Sequence, residues 1–244
     1  VDLAVLMTPL RVVPEIVKSC VEKRLKGAVI ITAGFGEKGE QGKALQDNIV
    51  EIARAGGVRI IGPNCLGIAN SSSGLNVTGS PIPSGGEISF ISQSGNIGLA
   101  LIHSAAMRGL GFANFISLGN EADVQFHECV RFLGEDPDTR VIALFIEGLK
   151  DGKRFFEISK EVAKRKPLVA FKVGKTESGA RSAKSHTGAI AGQEAIYDAA
   201  FRQAGIVRVS RLDELMDVTF VMGNVPPARG RRIAQTKSLA RPEP

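Results

Sequence analysis

The chain of 244 residues has no tryptophan, one tyrosine, three cysteines and three histidines. Each scarcity closes off a class of function. Bases would find few aromatic platforms to stack on, which argues against a nucleic-acid partner. Cys20, Cys65 and Cys129 are far apart and form no C-x-x-C pair, so neither a disulfide framework nor a structural zinc site is expected. That usage fits a reducing compartment, and a cytoplasmic location is the expectation. No apolar run approaches the ~20 residues of a membrane span, and no signal-peptide pattern is visible, so no membrane partner is expected. His103 and His127 have no metal-ligand partner at i+3 or i+4 and read as structural, with no metal site expected. A net charge of +6 is concentrated beyond Pro226, where five basic residues face Glu243 alone. The basic character is a property of the tail and not of the fold.

What is present is a regular alternation of short apolar runs and amphipathic stretches. Residues 3–8, 28–32 and 58–62 read as strands separated by helices, with Pro14 near the first helix start. Strand–helix repeats with short loops specify a parallel, doubly wound sheet. Residues 70–86 are small, polar and rich in turn formers, and are expected to link two domains. A second series follows: strands at 87–91, 112–117, 141–146 and 168–174, with helices between them. The expected division is residues 1–80, residues 86–225 and a disordered basic tail at 226–244. A short helix is expected over 213–218, broken by Pro226-Pro227.

In doubly wound sheets, ligands bind beyond the carboxyl ends of the strands. Three such ends in the second series carry chemistry. Ser92-Gln93-Ser94-Gly95-Asn96 opens a helix, and its backbone N–H groups suit an anion such as phosphate, although plain N-capping by Ser94 would also explain it. Glu147 ends the most apolar strand, placed either to orient an imidazole or simply on the surface. His186 lies in the loop Arg181-Ser182-Ala183-Lys184-Ser185-His186-Thr187-Gly188-Ala189, among small residues that would let another molecule approach. A His, a supporting carboxylate and a helix N-terminus suit a histidine that accepts a phosphoryl group. A serine-hydrolase triad of Ser94, His186 and Glu147 is disfavoured, because Ser92 and Asn96 stand where a nucleophile elbow needs glycines. A nicotinamide-binding protein is a third, disfavoured reading: Gly34-Phe35-Gly36-Glu37-Lys38-Gly39 has the G-x-G-x-x-G spacing, but a lone match of that kind is weak.

Five motifs occur in sequence: Ile61-Gly62-Pro63-Asn64-Cys65-Leu66-Gly67, Ile91-Ser92-Gln93-Ser94-Gly95, Ser117-Leu118-Gly119-Asn120-Glu121-Ala122-Asp123, Glu147-Gly148, and Ser185-His186-Thr187-Gly188-Ala189. Together they resemble the NDP-forming acyl-CoA synthetases, in particular the α part of ADP-forming acetate–CoA ligases and, more distantly, the α subunit of succinyl-CoA synthetase. The resemblance runs from Asp2 to about Ile233. It implies a truncated Rossmann-like CoA-binding domain followed by a flavodoxin-like domain. It also implies conversion of acyl-CoA, phosphate and ADP to acid, CoA and ATP through an acyl phosphate and a phosphohistidine.

By that resemblance His186 is the phosphohistidine and Glu147 its supporting carboxylate. Ser94, Gly95 and Asn96 hold phosphate; Ile31, Thr32 and Ala33 contact CoA; Asn64 and Cys65 lie near its thiol end. The 119–123 loop helps shape the acyl site. The implied partners are coenzyme A, phosphate, a small carboxylic acid and an ATP-grasp subunit or domain carrying Mg²⁺ with ADP or ATP, within an oligomer. The family's first strand and glycine-rich CoA loop are expected before Val1, and the pattern ends at Gln235 as a truncation or frameshift would end it. The isolated chain is therefore expected to lack complete ligase activity. The alternative is a non-catalytic acyl-CoA-sensing module of a protein acetyltransferase, although such modules generally lack the histidine.

Overall fold

A computed structural model describes residues 1–174, 194–226 and 230. Ten strands and seven helices are found among the described residues, in two sheets. The first sheet holds β1 (Leu3–Leu6), β2 (Gly27–Ile30) and β3 (Arg59–Ile61), all parallel and in the order β1-β2-β3. The crossovers are α1 (Val13–Glu22), with a proline in its first turn where no N–H partner is needed, and α2 (Glu40–Ala55). Val13, Val17, Phe35, Ile49 and Ile60 are fully buried between helices and sheet.

The second sheet has seven strands. β6 (Ile88–Ser92), β7 (Phe112–Ser117), β8 (Val141–Ile146), β9 (Leu168–Lys172) and β10 (Val207–Val209) run parallel in the order β10-β9-β8-β6-β7. Every residue of β6, β7 and β8 is buried. This explains why apolar residues dominate all three and fill β8 without a break, since helices cover both faces of a parallel sheet. On one face, Ile102 of α3 (Gly95–Met107) and Met216 of α7 (Leu212–Asn224) pack on Phe90, Phe115 and Phe145. On the other, α4 (Phe126–Glu135), α5 (Gly152–Val162) and α6 (Glu194–Ala204) pack Leu133, Phe155 and Phe201 on Ile91 and Leu144. The doubly wound α/β architecture is the one the alternation specifies.

Two local expectations are corrected. The 70–86 stretch expected to be a linker is not bare at its start: β4 (Ile68–Asn70) pairs antiparallel with β7, and β5 (Leu75–Asn76) with β4, extending the second sheet at its edge. The turn between them is fixed by Asn70 Oδ1, which accepts hydrogen bonds from Ser73 N (2.8 Å) and Ser73 Oγ (2.6 Å). The last helix is also longer than the 213–218 expected, because Leu215, Met216, Thr219 and Gly223 continue its buried face. The tail expected to be disordered at 226–244 lies, apart from Pro226 and Gly230, outside the described residues.

The 118–124 loop, after β7, joins the two sheets. Val124 N donates to Ile60 O (3.1 Å), Ala122 N to Gly62 O (3.0 Å) and Asn120 N to Pro63 O (2.9 Å). Asp123, with its side chain 1% exposed, accepts from Ile60 N, Arg54 Nε and Arg59 Nε at 2.7–2.9 Å. These cations hold its carboxyl below the usual range despite burial.

Candidate functional site

Strand β6 lies between β7 and β8, so successive connections leave it in opposite directions. The carboxyl ends of β6 and β8 consequently diverge around a crevice, the switch point at which doubly wound folds bind ligands. A cavity of about 180 Å³ opens there. The segment after β6 contributes Gln93, Ser94, Gly95 and Asn96, and the end of β8 contributes Glu147. The loop after β7 adds Gly119 and Asn120, and the loop after β3 adds Asn64, Cys65 and Leu66. Four of the five sequence motifs thus meet in one place.

Each wall has a local cause. Ser94 caps α3, its Oγ accepting from Ile97 N at 3.4 Å, so the capping explanation holds for the side chain. The first-turn N–H groups and the positive end of this 13-residue helix still face the crevice side of the sheet. Gly119 adopts φ 54°, and a Cβ there would sit 2.4 Å from both Pro63 O and Asn64 O. Only glycine lets the two loops touch. Asn120 then spends its amide on the first domain: Nδ2 donates to Glu37 Oε2 (2.6 Å) and Gln46 Oε1 (2.9 Å), and Oδ1 accepts from Asn64 Nδ2 (3.1 Å). Glu37 Oε1 in turn accepts from Gly34 N at 2.5 Å, tying down the loop after β2.

Of the residues singled out in the sequence, Glu147, Ser94, Gly95, Asn96, Asn64 and Cys65 line this cavity. Ile31, Thr32 and Ala33 do not; they follow the central strand β2 of the first sheet, where Thr32 O accepts from Asn64 N (3.0 Å) and Thr32 Oγ1 donates to Thr8 O (2.8 Å). The Cys65 thiol is directed at Ile30 O (3.3 Å), and burial pushes it up to about 12, so its sulfur is a packing group and not a reactive one. His186 lies outside the described residues. The strand before its segment is placed, however: Lys172 at the end of β9 is in register with Ile146, the residue before Glu147.

Two residues escaped the sequence reading as individuals. Gln93 Oε1 accepts from Glu147 N (2.5 Å) and Gly148 N (2.9 Å), while its Nε2 donates to Gly148 O (2.8 Å) and Glu121 Oε2 (3.1 Å). Glu121 is 1% exposed, and burial raises its carboxyl to about 7 against the opposing pull of Phe126 N–H, Lys150 and Gln93. Nothing but its place in a Gly-Asn-Glu-Ala-Asp turn marks it in the sequence. Among the described residues no group of His, Cys, Asp and Glu is arranged to hold a metal ion, and no helix is long and apolar enough to cross a membrane.

Residues 1–71 match the CoA-binding domain family, and residues 85–222 match the succinyl-CoA ligase-like flavodoxin domain family. The chain is 45% identical over 234 residues to the α subunit of ADP-forming acetate–CoA ligase II of Pyrococcus furiosus, covering 96% of this chain and 51% of that one. It is also 45% identical over 227 residues to the ADP-forming acetate–CoA ligase of Methanocaldococcus jannaschii, covering 93% of this chain and 32% of the relative. The chain thus spans from about a third to about half of the curated relatives it matches. A dinucleotide-forming acetyl-CoA synthetase 1 of Ca. Korarchaeum cryptofilum, solved with phosphate and ADP, superposes with a TM-score of 0.90 at 37% identity, covering 94% of this chain and 50% of that one. With a cavity at the switch point and these matches over nearly its whole length, the chain belongs to the succinyl-CoA ligase-like family of NDP-forming acyl-CoA synthetases, a CoA-binding domain joined to a flavodoxin-like domain.

Proposed function

We propose that the chain is the α part of an ADP-forming acyl-CoA ligase, of the acetate–CoA ligase kind. The observation that carries this reading is the cavity itself: a helix N-terminus, three asparagines and a carboxylate converge at the switch point of a fold whose relatives make acyl-CoA. Inorganic phosphate seated on the α3 N-terminus attacks the thioester carbon of acyl-CoA, and the CoA thiolate leaves. The resulting acyl phosphate meets the His186 imidazole, whose nitrogen attacks phosphorus as the carboxylate departs. Glu147 orients that imidazole and offsets its positive charge. The phosphoryl group then passes to a β-phosphate oxygen of ADP, held with Mg²⁺ by an ATP-grasp partner. CoA lies along the carboxyl edge of the first sheet, past Ile31–Ala33, with its thiol end toward Asn64 and the Cys65 loop. The assembly is an oligomer in the cytoplasm, a compartment compatible with three free, buried cysteines.

The test uses acetyl [³²P]phosphate on the full chain. The reading expects an acid-labile, base-stable label that is absent from His186→Ala and discharges to ADP when an ATP-grasp partner and Mg²⁺ are added. Robust ATP formation by the chain alone overturns the assignment as a part. No label from acetyl phosphate, nor from ATP with the partner present, overturns the catalytic reading in favour of an acyl-CoA sensor.

A further inference from the structure

Glu121 is a buried carboxylate whose partners lie on separate segments of the second domain. It is buried at the carboxyl edge of the second sheet, and its backbone adopts φ 52°, a left-handed conformation uncommon for a side chain of this size. Its two oxygens are used in different directions: Oε1 accepts from Phe126 N (2.8 Å), at the start of α4, and Oε2 accepts from Gln93 Nε2 (3.1 Å). Its own carbonyl accepts from Lys150 Nζ (2.7 Å), in the turn that follows Glu147. Gln93 carries the connection onward, gripping Glu147 N, Gly148 N and Gly148 O. A single polar node therefore holds the Glu147 backbone from β6 through Gln93, and the turn after it through Lys150.

We infer that Glu121 is a positioning residue, which through Gln93 and Lys150 fixes the backbone that presents Glu147 to the cavity. The inference rests on the phosphohistidine reading for its consequence, but not for its geometry. Both contacts on the carboxyl group are donors, so the ionised form accepts them best and protonation weakens its oxygens as acceptors. Positioning is accordingly strongest when Glu121 is charged and weakens as pH falls through about 7. The other titratable groups around it are Lys150 after β8, Glu128 and Cys129 on α4, and Tyr197 on α6; Glu128 is itself paired with Arg59. None of these donates to its carboxylate oxygens in the contacts described.

The experiment is an NMR pH titration of the full chain from pH 5.5 to 8.5, following Glu121 Cδ, the Gln93 side-chain amide and the Glu147 and Gly148 backbone amides. One shared midpoint is expected, and it disappears from the last three signals in Glu121→Gln. Amides of Glu147 and Gly148 that ignore the Glu121 midpoint overturn the inference, and this wild-type result decides it even if the variant folds poorly. His186 labelling by acetyl phosphate supplies the functional arm. Glu121→Gln should lose about tenfold in maximal rate, with half-saturation little changed, a loss typical of a slightly misplaced group. Dividing the wild-type rate by that of the variant cancels the titrations of His186 and the reagent, and the ratio should fall as pH falls through 7. A ratio flat at one overturns the positioning role. If neither protein labels, the phosphohistidine reading fails while the amide titration still decides the place of Glu121.

Discussion

Retaining a buried carboxylate has a measurable cost, and Glu121→Gln exposes it. The ordinary value of a glutamate is 4.5, and Glu121 is raised to about 7 by burial. Each pH unit of difference between folded and unfolded states corresponds to ~1.4 kcal/mol, giving ~3 kcal/mol in total. For an acid raised on folding, the folded state keeps its proton longer than the unfolded chain does. Wild-type stability should therefore be unaffected by this group below about pH 4.5, decline as pH rises from there through 7, and level off above. In Glu121→Gln that decline is missing. The glutamine introduces its own penalty, because its NH₂ must face either Phe126 N–H or the Gln93 NH₂, at ~1–3 kcal/mol. That penalty does not depend on pH. The quantity to measure is thus the difference in unfolding free energy between the two proteins, by urea denaturation at several pH values from 4.5 to 8.5. It should shift by ~3 kcal/mol in favour of the variant across the range, with the carboxylates common to both proteins cancelling. A difference that stays constant refutes the argument that Glu121 is desolvated more strongly than it is compensated.

Three further outcomes follow from the geometry. Asp123→Ala should destabilise by ~3 kcal/mol in urea denaturation, mostly through the orphaned Ile60 N–H, since Arg54 and Arg59 are half exposed and their ion pairs are worth little. Because the folded carboxyl lies below its ordinary 3.8, this contribution is present above that pH and fades as pH falls below it; a loss under 1 kcal/mol at pH 7 counts against the clamp. Gly119→Ala should cost ~2 kcal/mol or more in thermal melts, from the positive φ and the 2.4 Å approach to Pro63 O and Asn64 O. Cys65 in the native protein should react with iodoacetamide at least ~100-fold more slowly than in urea, as peptide mapping would read it; rapid native alkylation would mean that its thiol faces solvent.

The alternation of strands and helices was legible because β6, β7 and β8 are buried on both faces and so are dominated by apolar residues. The β4–β5 hairpin was not. Its strands are three and two residues long, and Ser71-Ser72-Ser73-Gly74 reads as a linker until β7 is there to pair with. The site divides in the same way. Ser94 and Glu147 were visible because a strand end and a helix start are local features. The roles of Gln93 and Glu121 were not, because each exists only through partners far along the chain, 54 and 28 residues from Gln93 to Glu147 and Glu121 respectively. Cys65 shows the converse: its motif points to a ligand, while burial turns its sulfur to Ile30 O.

The 118–124 loop has a consequence for solubility. As the last strand of a three-stranded sheet, β3 would present a row of unpaired N–H and C=O groups, the template on which sheets add foreign strands. Ile60 O, Ile60 N and Gly62 O are instead taken by Val124 N, Asp123 Oδ2 and Ala122 N. The loop is an edge guard that borrows its residues from the neighbouring domain, so a CoA-binding half separated from the flavodoxin-like half would carry an open, self-adhesive edge.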